Sequence, residues 1–192
     1  MLKVSTALLL SAVCCSAGTI TYNVNVTIGF GDFTGDIVTD GTIGLLNNAN
    51  IVGWNLVLND GTDPLFTLTN SNSTEDIAPA DQTLSATATQ LSFNFDGPAD
   101  SFLVFVSDIS DVKGSESGVC WSIAPEDCLI PGLTASGISL IVGGNIGNAQ
   151  FTSGTVIGTS PGSSTPESST LSLIGLGMTA LVFLRRHISH SS

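Results

Sequence analysis

From Gly18 onward, apolar residues recur at every second position and not every third or fourth. Ile20, Tyr22, Val24 and Val26 open a first extended segment that runs to Ile28. Further short runs follow at 35–39, 51–58, 65–69, 84–95, 102–107, 119–123, 138–142 and 150–157. Turn formers separate them, among them Asp40-Gly41, Asn59-Asp60-Gly61, Asp96-Gly97-Pro98, Lys113-Gly114 and Gly143-Gly144-Asn145. A period of two broken by Gly, Asn and Asp is the mark of β-strands, because successive side chains of a strand leave opposite faces. The pattern predicts about nine strands and no amphipathic helix over 18–157, in an all-β, antiparallel β-sandwich or jelly roll.

Leu91, Phe93 and Phe95 alternate with Ser92, Asn94 and Asp96, whereas 102–106 is almost continuously apolar, as in a strand covered on both faces. A hairpin through Gly97-Pro98-Ala99-Asp100 is expected to join them, with their aromatic rings in the core.

The two ends follow a different rule. Lys3 precedes an apolar run over 4–13, and small residues stand at Cys15 and Ala17. This is the pattern of a cleavable signal peptide, with signal peptidase expected to cut between Ala17 and Gly18. Residues 158–165 are a Gly/Ser/Thr/Pro linker. Beyond it come Pro166, Glu167 and Ser168, an apolar stretch, and then Arg185 and Arg186. The span 168–184 reads as a short C-terminal transmembrane helix, with the arginine pair as its cytoplasmic stop. The expected organisation is a signal peptide over 1–17, a β passenger domain over 18–157, a linker over 158–165 and a membrane tail over 166–192.

Charge narrows the partners. Between Gly18 and Thr165 fifteen acids face the single Lys113, a net of −14. Such a surface repels phosphate backbones, so nucleic acid is excluded as a partner. Both histidines, His187 and His190, lie in the tail. The passenger therefore has no Ser-His-Asp triad, no Cys-His pair and no His-ligated zinc. Cys120 and Cys128 are the two cysteines left after signal removal, and in an oxidising compartment they are expected to form a disulfide.

Oxygen chemistry is what remains. Asp32, Asp36 and Asp40 recur every four residues and are the candidate ligands for calcium, although an even spacing along a strand also fits a plain solvated face. Asn59, Asp60 and Asp63 form a second acidic loop. Paired carboxylates hydrolyse glycosides without histidine, which keeps a secreted carbohydrate-binding or carbohydrate-active protein as the alternative function. Trp54, Trp121 and Tyr22 are the passenger's large sugar-stacking platforms, each with core packing as the competing role.

The order Pro166-Glu167, Ser-Thr-Leu, an apolar stretch bearing Gly175-Leu-Gly177, and Arg185-Arg186 resembles the PEP-CTERM sorting signal of exported bacterial proteins. Ser168 stands where that motif has a second proline. The resemblance implies an exosortase-type enzyme that cuts near the motif, transient residence in the inner membrane, and delivery to the cell surface or extracellular matrix of an exopolysaccharide- or biofilm-forming Gram-negative host. The resemblance gives a context and not a mechanism; the acidic, lysine-poor passenger is expected to be a non-enzymatic structural or adhesive component, with extracellular polysaccharide as a partner and no cofactor other than the candidate calcium.

Overall fold

The computed structural model describes residues 18–62, 65–107, 116–124, 136–151 and 154–161. The signal segment 1–17, the sorting motif Pro166-Glu167-Ser168, the span 168–184, Arg185, Arg186 and Cys128 all lie outside them. Among the described residues there is no α-helix, and no helix is long and apolar enough to cross a membrane.

The chain forms β1 (Ile20–Ile28), β2 (Gly31–Thr39), β3 (Gly44–Leu45), a 3-10 turn at Asn48–Asn50, β4 (Ile51–Asn59), β5 (Phe66–Thr69) and β6 (Ser73–Ala78). It continues with β7 (Leu84–Ala86), β8 (Gln90–Phe93), β9 (Phe102–Ser107), β10 (Gly118–Ser122), β11 (Gly137–Val142), β12 (Asn145–Gln150) and β13 (Thr155–Thr159). Two antiparallel sheets result. One has eight strands in the order β3-β7-β8-β13-β1-β2-β4-β5; the other has five in the order β12-β11-β10-β9-β6.

Register follows from burial. In β1 the pairing Tyr22↔Ile37 and Val24↔Gly35 sets Tyr22, Val24 and Ile28 on the face that Phe33 and Ile37 share from β2. A slip of one residue would turn all of these outward. Leu56, Leu58 and Leu68 extend this face, and Leu103, Phe105, Val119, Trp121, Ile138 and Leu140 come to the same core from the smaller sheet. Rings meet across the two sheets. Phe33 packs edge-on to Trp121 with centroids 5.4 Å apart, and Trp54 lies 5.4 Å from Phe105. Gly35, in mid-strand at φ +142°, allows the close approach of β4: a Cβ there would meet the Asn55 carbonyl oxygen.

Five expectations need correction. The segments 91–95 and 102–106 do not form a hairpin: β8 pairs with β7 and β13 in the larger sheet, and β9 pairs with β6 and β10 in the smaller. The connection through Pro98 and Asp100 (φ +67°) is instead a crossing between sheets. The run 84–95 is two strands, reversed at Thr87, whose N–H donates to the Gln90 carbonyl at 2.8 Å. The run 150–157 belongs to β12 and β13, which sit in different sheets. Finally, β6 forms from the polar sequence STEDIA. The last strand also extends to Thr159, two residues into the stretch assigned to the linker.

Candidate functional site

The three aromatic platforms are structural. Tyr22 is fully buried and its hydroxyl donates to the Thr87 carbonyl at 2.6 Å; burial pushes its pKa up, against a smaller opposing effect from Thr39. Trp121 is fully buried between Phe33 and Phe105. It leaves β10 on the opposite face from Cys120, as neighbours in a strand must, so the indole does not cover the sulfur. Trp54 is half-buried and its Nε1–H donates to Ser73 Oγ at 2.9 Å, which ties β4 of one sheet to β6 of the other.

The acids resolve into separate fates. Asp32 and Asp36 lie on the outward face of β2, and Asp40 follows the strand in a turn. Four extended residues separate each pair by about 13 Å, so the three carboxylates cannot close on one calcium ion. Asp32 accepts from Asn59 Nδ2 at 3.2 Å. Asp40 accepts from the Thr42 N–H at 2.9 Å and from Asn50 Nδ2 at 3.0 Å, bonds that hold its carboxyl below the usual range. Among the described residues no group of three His, Cys, Asp or Glu side chains is disposed to hold a metal ion.

Asp60, which the sequence places in the second acidic loop, is only 3% exposed. It accepts the Thr62 N–H at 2.9 Å and the side-chain amide of Asn145. Asn145 opens β12, so this pair joins the β4–β5 turn of the larger sheet to the β11–β12 turn of the smaller. Its partner in the sequence reading, Asp63, lies outside the described residues.

A groove of about 430 Å³ runs over the outer face of the five-stranded sheet. Its floor is Phe102, Val104, Val106 and Ile141, and Asp76 and Glu116 stand on its border. Cys120 is fully buried beneath it, packed with Phe102, Val104, Ile141 and Ile146. The continuous apolar run 102–106 reflects this arrangement: Leu103 and Phe105 enter the main core, while Phe102, Val104 and Val106 stay half-buried under the groove. Glu75 also borders it, and burial raises its pKa, with the charge of Asp76 adding to the effect. Glu75 and Asp76 are adjacent in β6 and leave from opposite faces of the strand, so they do not converge on one bond as an acid–base pair must. Asp76 is held by Asn48 Nδ2 at 2.8 Å, and the same Asn48 accepts the Ile77 N–H at 3.0 Å, covering the edge of β6.

No protein-family model, curated protein or solved structure matches this chain.

Proposed function

We propose that this chain is an exported surface or extracellular-matrix protein, sorted by an exosortase-type system, whose passenger is a β-sandwich with a structural or adhesive, non-enzymatic role. The reading is carried by the order of parts in one chain: apolar leader, β domain, Pro-Glu motif, apolar stretch and basic stop. The compact unit Gly18–Ser163 supports it, since its first residue is the expected mature N-terminus and its last lies just before the motif. The fates of the acids support a non-enzymatic role: Asp32, Asp60, Asp76 and Asp81 each accept a side-chain amide from an asparagine and so serve the architecture.

Cys120 and Cys128 form a disulfide in this reading, worth about 2–3 kcal/mol in the loop-entropy description. The sorting claim is tested by intact mass and terminal peptides of the protein isolated from its host. Ends near Gly18 and at 166–168 are expected. A C-terminus retained at Ser192 would reduce the tail to a plain anchor and remove the exosortase assignment.

A further inference from the structure

Over five adjacent strands of the larger sheet, the outward face is an ordered array of short polar side chains. The registers of β13, β1, β2, β4 and β5 align Thr159, Asn23, Asp36, Asn55 and Thr69 in one row across the sheet. A second row, two residues along, is Asn25, Thr34, Val57 and Thr67; a third is Thr27, Asp32 and Asn59. Strand spacing makes the first row about 19 Å long, and successive rows lie about 7 Å apart. Asn23, Asn25, Thr34 and Asn55 are exposed.

This composition departs from what sheet stability favours. Asparagine and aspartate are poor strand formers, and threonine or valine at the same exposed positions suits a pleated surface better. Asn23 and Asn25 are on β1, Asp36 on β2 and Asn55 on β4, all interior strands of the sheet. Their side chains make no hydrogen bond among the described residues; within the array only the Asp32–Asn59 pair does so between strands. A local rule broken repeatedly, in register, without a structural return, marks a surface kept for what it binds.

The chemistry of the face selects the occupant. No Lys or Arg occurs among the described residues, and Asp32 and Asp36 stand in the array, so an anionic polymer is repelled. The three rows hold no aromatic side chain and only Val57 as an apolar member, with Val38 and Val52 beyond their end, which is not the buried core a protein interface requires. What it offers is a grid of amides and hydroxyls that donate and accept on one face, with the Asn23, Asn25 and Asn55 amides making no hydrogen bond among the described residues. We infer that this face binds a neutral, hydroxyl-rich polysaccharide laid across the strands, along the row Asn23–Asp36–Asn55. The inference rests on the exported-matrix reading for its choice of polymer and supplies that reading with a binding surface.

The test is affinity electrophoresis of the full chain, in mild detergent, through gels containing a soluble neutral β-glucan, a galactomannan or anionic alginate. Retardation by at least one neutral glycan and none by alginate is expected. The triple variant N23T/D36T/N55T should bind about tenfold more weakly, as several lost hydrogen bonds imply. It should also melt no lower than the wild type, because threonine is the better strand former. Where the triple variant fails to accumulate, Asn55→Thr alone serves, with a loss of about threefold. Absence of retardation by both neutral glycans overturns the inference, and so does equal retardation of the variants. A variant that melts well below the wild type overturns it too, by making the row a folding device. The outcome separates from the sorting claim: a trimmed but unretarded protein loses the face alone, and an untrimmed but retarded protein loses the sorting alone.

Discussion

The two sheets turn opposite kinds of surface away from their shared core. On the eight-stranded sheet the outward residues of β1, β2 and β4 are mostly Asn, Thr and Asp; β1 alternates between inward and exposed positions, and β2 largely between buried and partly buried ones. On the five-stranded sheet every residue of β10 is buried, and Phe102, Val104, Cys120 and Ile141 pack together on the side away from the main core. Alternation is thus a property of a sheet with one wet face. Where it disappears, as in 102–106 and 118–122, the strand has apolar neighbours on both sides. Position in the sheet, more than intrinsic strand propensity, decides which residues a strand tolerates.

The contrast is most severely broken at the core that both sheets share. Trp121→Ala removes the ring lying between Phe33 and Phe105 and should cost about 3–5 kcal/mol in denaturant unfolding. A loss below 1 kcal/mol would mean that the two sheets do not depend on this contact. Next comes a matched pair of substitutions on the two outer faces. Val104→Asp puts a charge on the apolar side of β9, directly opposite Asp76, and should cost about 2–4 kcal/mol. Thr34→Asp, on the wet face of β2, should cost about 1 kcal/mol or less, the loss of strand preference alone. Equal costs would erase the distinction between the faces.

Asp60→Ala tests the tie between the turns of the two sheets. It removes the carboxylate that accepts from the Asn145 amide and the Thr62 N–H, and the expected loss is about 1–3 kcal/mol. The smallest effect is one of pH. Because burial raises the Glu75 pKa, the folded chain binds that proton more tightly than the unfolded chain. The contribution of Glu75 is therefore fully favourable below the ordinary glutamate range and is lost as pH rises through its raised value. Glu75→Gln should remove this slope from a stability–pH profile measured just above that range; an unchanged slope would assign it to another acid.

How much was legible in the sequence follows the same division. The strand at Phe102–Ser107 matches the apolar run residue for residue, and β1 is plain from its period of two. The polar edge strand β6 gave no such signal, because Glu75 and Asp76 read as loop. Its pairing with β9 and the side chain of Asn48, 29 residues from Ile77, make it a strand. The hairpin expected at 97–100 failed for a related reason. Sequence adjacency and turn residues favour local pairing, but Phe93 and Phe105 must reach the core from different sheets. Asp60 was visible only as an acid of a loop and not as a tie between sheets, since its partner Asn145 is 85 residues away. The calcium alignment of Asp32, Asp36 and Asp40 fell to strand geometry, and the same geometry produces the rows on the wet face.

The most direct test of that contrast is a hydrogen-exchange map of the full chain with and without the neutral glycan that retards it most. Reduced exchange confined to β1, β2 and β4 is the expected result. Protection over β9, β10 and β11 instead would place the ligand in the apolar groove and contradict the assignment of binding to the polar face.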